Sequence, residues 1–278
     1  MYKIGLSTCA KVLCEDFFRQ YNESGIAMME ISLAPEDYKE LDYKKIEKWA
    51  KEYDVKLWSY HLPFSPFTEI DISNKDISKS TILYFEEMIK RGSDIGIDKF
   101  IIHPSGEPID DDDRNERMMC SKESLSILSE IAKSNNSIIC VENLPRTCLG
   151  KNSDEILELI SVDENLRVCF DTNHLLCEDP VDFIRKIGKK IVTTHVSDYD
   201  FINERHWLPG EGKTDWQAIL NALDEIGYNG AWLYEVSFAA PKTIVRDREL
   251  NCFDFVKNAK ELFENKQITV ISRPVENL

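Results

Sequence analysis

The chain alternates between short apolar runs and longer amphipathic stretches. The short runs are rich in β-branched and aromatic residues, as buried strands are, and they cover residues 3–8, 26–32, 55–61, 99–103, 138–143, 167–171, 191–197 and 231–237. In the intervals, apolar residues recur at helical spacing, most clearly over 37–54, 80–96 and 121–134. Gly96 and Gly227 follow two of the amphipathic stretches, where the C-terminus of a helix favours glycine. The pattern predicts repeated βα units.

Eight strands within about 235 residues give roughly one βα unit per 30 residues, which is the repeat of a (β/α)8 TIM barrel. The predicted fold class is therefore α/β, with a (β/α)8 barrel. The alternative is a doubly wound open sheet, which usually carries a glycine-rich phosphate loop after its first strand. Here Cys9, Ala10 and Lys11 follow instead. We expect one barrel domain over residues 1–278, with a short strand-like C-terminal extension of about 267–278.

Composition narrows the classes of function. The chain has 278 residues, of which 42% are hydrophobic and 30% charged, and its net charge is −16. This charge disfavours a nucleic-acid partner and an anionic membrane surface, and no run approaches the roughly 18 apolar residues of a membrane span. The 8 cysteines form no CxxC pair. Without a secretion signal they indicate a reduced chain, which we expect in the cytoplasm. The sequence leaves homo-oligomerisation open.

Acidic and imidazole side chains stand where the predicted strands end. The carboxylates are Glu142, Asp171 and Glu235, and all five histidines lie at strand ends or in the loops that follow, namely His61, His103, His174, His195 and His206. In a TIM barrel these ends meet at one face, where such enzymes place their chemistry. We therefore expect these side chains to converge there.

Carboxylate and imidazole together are the ligands of zinc and other divalent transition metals. Each acid follows apolar residues, so it should point into the barrel mouth, where an unpaired carboxylate is costly. Singly, Glu142 could pair with Arg146, and Asp171 could cap the following turn. Jointly they favour a metal site, which we call the ligand quartet and which consists of Glu142, Asp171, His195 and Glu235. His61, His103 and His206 are candidates for either extra ligands or substrate contacts.

Other features of the predicted top face carry weaker signals. Gly210 and Gly212 form a tight loop that could bring N–H groups to an anion, although a plain turn is the simpler interpretation. Basic side chains in top-face loops could hold an oxyanion, and they are Arg146, Lys151 and Arg205. The run 110–113 is entirely aspartate and is typical of a solvated helix start.

Seven motifs, in this order, resemble the xylose isomerase-like TIM-barrel superfamily, sugar phosphate isomerase/epimerase type. The group includes ketose 3-epimerases, inosose dehydratases and endonuclease IV. The motifs are YHLPF at 60–64, HPS at 103–105, VENLP at 141–145, FDTNH at 170–174, THVSD at 194–198, RHWLPGEG at 205–212 and YEVS at 234–237. The resemblance implies that the ligand quartet binds one divalent metal, manganese or zinc, with magnesium and cobalt as further options. In ketose epimerases the two metal-binding glutamates also move the proton, and the resemblance implies this role for Glu142 and Glu235.

The resemblance to endonuclease IV implies two further metal sites. One would use His61 and His103 with Glu142, and the other would use His174 and His206 with Glu204 in place of an aspartate. Two departures concern the sugar enzymes. Leu144 stands where xylose isomerase has the lysine of its hydride shift, and Phe201 stands near the place of an arginine that is frequent in ketose epimerases.

The expected function is a metal-dependent isomerase or epimerase of a sugar or sugar phosphate, with Glu142 and Glu235 as the catalytic acid and base. Residues expected to bind the substrate are His61, His103, His174, His206, Trp58 and Arg205, with Phe64 and Trp207 packing on the sugar. The alternatives are an endonuclease IV-like zinc phosphodiesterase acting on abasic DNA, an inosose-dehydratase-like lyase, and a noncatalytic sugar-binding barrel.

Overall fold

The computed structural model describes residues 1–9, 11, 13–64 and 69–275. Its strands are β1 Lys3–Ser7, β2 Met28–Ile31, β3 Lys56–His61, β4 Lys99–Ile102, β5 Ile138–Glu142, β6 Arg167–Asp171, β7 Ile191–His195, β8 Ala231–Tyr234, β9 Ile244–Arg246 and β10 Ser272–Pro274. Its α-helices are α1 Glu15–Ser24, α2 Tyr43–Glu52, α3 Ser78–Asp94, α4 Arg114–Ser134, α5 Ser153–Ile160, α6 Pro180–Ile187, α7 Trp216–Glu225 and α8 Cys252–Phe263. Each of the eight predicted runs contains one of the strands β1 to β8.

Strands β1 to β8 form a parallel barrel. They are ordered β7-β6-β5-β4-β3-β2-β1-β8, and a parallel bridge between Val196 and Tyr234 joins the two ends of the sheet. Two backbone hydrogen bonds make that bridge, from Val196 N to Leu233 O at 2.8 Å and from Glu235 N to Val196 O at 3.1 Å. The predicted (β/α)8 fold is confirmed, and the closure brings the ends of β7 and β8 side by side.

The helices cover the barrel with their apolar faces, as the helical spacing predicted. In α2, for example, Tyr43, Ile46 and Ala50 are buried against the sheet. This helix begins later than the predicted stretch 37–54, because the Asp42 side chain accepts a hydrogen bond from Lys45 N and caps it. The aspartates at 110–113 are exposed and precede α4, in agreement with a solvated helix start.

The floor of the barrel is closed by Trp58, contrary to the expectation that this ring contacts a substrate. The pairing of β2 with β3 shifts between Met29 and Glu30, so that Trp58 is an extra residue on β3. Its ring packs with Met28 and Leu233, and its Nε1 donates to Thr193 Oγ1 at 3.0 Å. Trp58 therefore belongs to the N-terminal half of the barrel, away from the mouth.

The C-terminal segment pairs with a strand outside the barrel. β10 is antiparallel to β9, which uses part of the strand-like sequence noted at 267–278. Thr269 N also donates to Glu261 Oε2 of α8 at 2.8 Å, which ties the segment to the last helix. None of the helices in the described ranges is both long and apolar enough to cross a membrane.

Candidate metal centre

The ligand quartet comes together at the mouth of the barrel. Glu142, Asp171 and His195 are the last residues of β5, β6 and β7, and Glu235 directly follows β8. One potential ligand atom from each lies within 4.8 Å of the others. His195 Nδ1 is the centre of the group, at 2.9 Å from Glu142 Oε1, 3.5 Å from Glu235 Oε2 and 3.9 Å from Asp171 Oδ2. Four side chains far apart in sequence thus meet around one point, as the strand-end pattern predicted.

The electrostatics of this cluster fit a bound cation. Burial, together with the negative charge of Glu142, raises the pKa of Asp171 well above its usual value. Burial is also the main cause that raises the pKa of Glu235, and Glu142 adds to it. The Asp171 Oδ2 atom is buried and has no hydrogen-bond partner. Because crowded carboxylates and an unpaired buried oxygen are both costly without a counter-charge, the donor set fits a divalent metal.

The charge of Glu142 is stabilised differently. Burial alone would raise its pKa, but the surrounding imidazoles outweigh this effect and hold the pKa well below the usual value. His195 Nδ1 faces one carboxylate oxygen, and His61 Nε2 at 3.1 Å and His103 Nε2 at 3.2 Å face the other. Glu142 is therefore the carboxylate of the quartet that stays most readily ionised.

An amide clamp fixes two of the ligands relative to each other. Asn143 Nδ2 donates to the Asp171 carbonyl at 2.8 Å, and Asn143 Oδ1 accepts from Asp171 N at 2.8 Å. The ends of β5 and β6 are thereby held in register, so Glu142 and Asp171 keep their separation. Asn173 Oδ1 accepts from the backbone N–H of Arg205 at 2.7 Å, which anchors the long loop after β7 to the same edge.

Glu30 also lies in the site, although it was not among the site residues predicted from the sequence. It is fully buried on β2, and its Oε2 lies 3.0 Å from His195 Nε2 and accepts from Ser59 Oγ at 2.7 Å. A carboxylate on the far nitrogen of a metal-binding histidine fixes its tautomer and orientation. The one available signal was an acidic residue within the apolar run at 26–32.

Among the described residues, three further groups of potential ligands adjoin the quartet, and one of them, His61 with His195 and Glu235, shares two of its members. The His61 triad consists of His61, His103 and Glu142, and the His206 triad consists of His174, Glu204 and His206. Within the second, His174 Nε2 lies 3.4 Å from Glu204 Oε2. Burial lowers the pKa of His103 to about 4, which keeps its ring neutral. The residues expected from the resemblance to endonuclease IV therefore do lie together in three groups.

A cavity of about 250 Å³ opens above the quartet. Its walls combine apolar side chains, such as Phe64 and Leu144, with polar groups from both triads and the quartet, namely His103, His174, His206, Glu142, Glu204 and Glu235. Phe64 stacks on the His103 ring with 4.0 Å between ring centroids. This mixture of apolar and polar surface is typical of small-molecule sites.

Several residues expected to contact a substrate are not among the described residues that line the cavity. Arg205 pairs with Asp200 at 2.8 Å, and Trp207 is buried with its Nε1 donating to Thr243 Oγ1. His61 is fully buried beneath the cavity and faces Glu142. Sequence position alone predicted the right face of the barrel but not these side-chain directions.

The glycine loop at 210–212 is a structural turn. Gly210 N donates to Asp198 Oδ2 at 2.8 Å, so this N–H does not face an anion. A side chain at Gly212 would collide with Asp198 and Tyr199, whose nearest atoms would lie 2.3 Å from its Cβ. Glu211 forms a buried ion pair with Arg246 of β9 at 2.8 Å. The loop is therefore a packed support for the mouth.

The fold and the site together define a TIM-barrel protein with a candidate metal centre at the C-terminal ends of its strands. The sequence profile of the xylose isomerase-like TIM barrel family matches residues 18–250. The chain belongs to this family, which confirms the resemblance inferred from the motifs.

Relatives include both uncharacterised proteins and sugar epimerases. A protein of Methanocaldococcus jannaschii is 28% identical over 196 residues, which are 67% of this chain and 66%, just under two thirds, of that protein. D-psicose 3-epimerase of Ruminiclostridium cellulolyticum is 26% identical over 227 residues, 76% of this chain and 74% of the enzyme. A solved D-tagatose 3-epimerase-like protein superimposes with a TM-score of 0.78 at 22% identity, covering 95% of this chain and 97% of the other.

Proposed function

We propose that this protein is a divalent-metal-dependent isomerase or epimerase that transfers a proton next to the carbonyl group of a sugar. The observation that carries the proposal is the ligand quartet at the mouth of the barrel, with two of its carboxylates, Glu142 and Glu235, in the wall of the adjoining cavity. The relationship to D-psicose 3-epimerase supports this reaction class. A donor set of carboxylates and one imidazole is compatible with Mn²⁺, Zn²⁺, Mg²⁺ and Co²⁺.

The quartet would hold the metal through three carboxylates and His195. When bound, the ion would polarise a carbonyl oxygen and make the neighbouring C–H more acidic. The chain then needs a base and an acid beside that carbon. Glu235 is the more accessible of the two glutamates, with 14% of its side chain exposed against 1% for Glu142.

The two glutamates differ in how firmly they are held. Both oxygens of Glu142 face imidazole nitrogens, whereas burial raises the pKa of Glu235, and a raised pKa favours proton uptake near neutral pH. We assign Glu142, which is held ionised, to the removal of the proton. Glu235, whose raised pKa favours the protonated acid, is assigned to its return, and His103, His174 and His206 are assigned to orienting hydroxyl groups from the cavity wall.

The test measures proton exchange. The metal-loaded protein is incubated in D2O with D-fructose, D-psicose, D-tagatose and L-ribulose, and NMR follows exchange of the C–H next to the carbonyl. Glu235→Gln and Glu142→Gln should each lower the rate about 10²- to 10⁴-fold, since general acid–base groups contribute that much. The matched control is Glu225→Gln, whose carboxylate pairs with Arg185 on the outer surface. A wild-type rate in Glu235→Gln with metal still bound would contradict the assignment.

A second candidate function follows from the two triads. Together with the quartet they supply donors for three metal ions, which suits an endonuclease IV-like phosphodiesterase acting on abasic DNA. The net charge of −16 argues against a DNA substrate. Three zinc ions per chain, together with cleavage of an abasic oligonucleotide, would favour this alternative over the sugar reaction. A dehydratase would use the same base, and its product would have lost water.

A further inference from the structure

The cavity wall is rich in carboxylates. Besides Glu142 and Glu235 of the quartet, it contains Asp71, Glu107 and Glu204. Among the described lining residues, only Arg146 carries a permanent positive charge. The sequence between the described residues 64 and 69 is Ser-Pro-Phe-Thr, which contains no charged residue. Asp71 is paired with Arg117 outside the wall, so the excess negative charge of the described part of the wall comes from Glu107, Glu204 and the two glutamates of the quartet.

The one cation in the wall is already engaged. Arg146 Nε and Nη2 donate to the two oxygens of Glu107 at 2.8 Å and 2.6 Å. Its Nη1 donates to Asn203 Oδ1 at 2.9 Å and lies 3.1 Å from Glu204 Oε1. A guanidinium recognises phosphate through this same planar fork of donors. Every nitrogen of that fork faces a group of the protein, and the two-pronged face formed by Nε and Nη2 is occupied by Glu107.

The backbone holds Arg146 in this place. Its φ of 52° lies in the left-handed region, which a residue other than glycine rarely adopts. Glu107 comes from the loop after β4, Arg146 from the loop after β5, and Glu204 from the loop after β7. The ion pairs thus join three loops across one side of the cavity, and Thr147 Oγ1 adds a further donor to Glu107 at 3.4 Å.

We propose that Glu107 is a specificity-determining residue, which sequesters Arg146 and makes the cavity select an uncharged sugar over a phosphorylated one. That the ligand is a sugar rests on the proposed function, whereas the exclusion of a phosphate group rests only on the charges of the cavity wall. With all three of its carboxylates ionised, the quartet keeps one negative charge after binding a single divalent ion, and a phosphate dianion beside Glu107 and Glu204 would meet like charges. Such juxtapositions strongly disfavour binding.

The experiment compares phosphate binding between wild type and Glu107→Gln. Isothermal titration calorimetry on Mn²⁺-loaded protein uses D-fructose, D-fructose 6-phosphate and inorganic phosphate as probes. Glutamine keeps the size of the side chain but removes the negative charge that pairs with the Arg146 guanidinium. We expect Glu107→Gln to bind the two phosphate probes at least tenfold more tightly than wild type, with D-fructose changing much less.

Two further variants make the result specific. Glu225→Gln also removes one carboxylate from a Glu–Arg pair, but far from the cavity, and should leave phosphate affinity at the wild-type value. Adding Arg146→Gln to Glu107→Gln should abolish the gain, because the guanidinium is the group that would bind phosphate. A gain that survives in the double variant, or no gain in Glu107→Gln, would overturn the proposal.

Wild-type protein alone also tests the inference, whatever the stability of the variants. We expect weaker binding of D-fructose 6-phosphate than of D-fructose. Tighter binding of the phosphate ester would overturn the proposal. If removal of Mn²⁺ with a chelator then abolished this binding, the bound metal ions would be the phosphate site. Failure of the proposed function is separable, since it would show as no proton exchange in any ketose while the phosphate titrations keep their predicted order.

Discussion

The contact between Glu30 and His195 makes a sharp prediction about metal affinity. His195 Nδ1 faces the other three ligands, so its Nε2 must carry the proton when Nδ1 binds a metal. In that tautomer the Nε2–H group donates a hydrogen bond to Glu30 Oε2, which lies 3.0 Å from Nε2. In Glu30→Gln the amide can instead present its NH2 group to Nε2, which would favour the wrong tautomer and place a proton on the metal-binding nitrogen.

The size of the effect follows from the role of Glu30. Loss of a partner that orients a metal ligand lowers affinity about 10- to 100-fold, which corresponds to about 1.4–2.7 kcal/mol. Although burial would raise the pKa of Glu30, the charge and hydrogen bond of His195 outweigh burial and lower it. The variant therefore removes an ionised acceptor. The metal-free variant should remain folded, since a buried charge is lost rather than gained.

The assay is competition for Mn²⁺ against a chromophoric chelator, with circular dichroism as the check on folding. Ser59→Ala is the control, because it removes the 2.7 Å hydrogen bond to Glu30 Oε2 but keeps the carboxylate beside His195. We expect its affinity loss to stay below about tenfold. Unchanged Mn²⁺ affinity in folded Glu30→Gln would refute the reasoning.

Three further predictions concern stability. Trp58→Ala should lower the free energy of unfolding in urea by about 3–5 kcal/mol, since it empties the barrel floor, and a loss below about 1 kcal/mol would contradict this placement. Glu211→Gln should cost about 3–5 kcal/mol, because it leaves Arg246 buried without its partner; a loss no larger than that of the exposed-pair control Glu225→Gln would contradict this. Mn²⁺ at a hundred times its dissociation constant for wild type should raise the free energy of unfolding of wild type by about 2.7 kcal/mol. A similar gain in Asp171→Asn at the same Mn²⁺ concentration would contradict the assignment of Asp171 as a ligand.

The sequence was sufficient to predict the barrel and the meeting of the ligand quartet. Parallel strands in a closed barrel place their C-terminal ends at one face, whatever the details of packing. Glu142, Asp171 and His195 end their strands, so their convergence follows from the barrel fold together with their positions at the strand ends. The prediction did not require knowledge of any side-chain conformation.

Side-chain directions were less predictable because they depend on contacts between distant segments. Trp58 lies at the floor because the pairing of β2 and β3 shifts by one residue, and a pattern of alternation cannot reveal such a shift. Arg205 forms an ion pair with Asp200, and Arg146 forms ion pairs with Glu107 and Glu204. Ion pairs of this kind are set by loop conformation, which hydrophobic periodicity does not encode.

An anomalous-scattering map from crystals grown with Mn²⁺ is the decisive test of whether the ligand quartet binds one divalent ion. We expect a peak within about 2.0–2.4 Å of ligand atoms from Glu142, Asp171, His195 and Glu235. A map with no peak among these four side chains, or with peaks only at the His61 and His206 triads, would contradict this expectation.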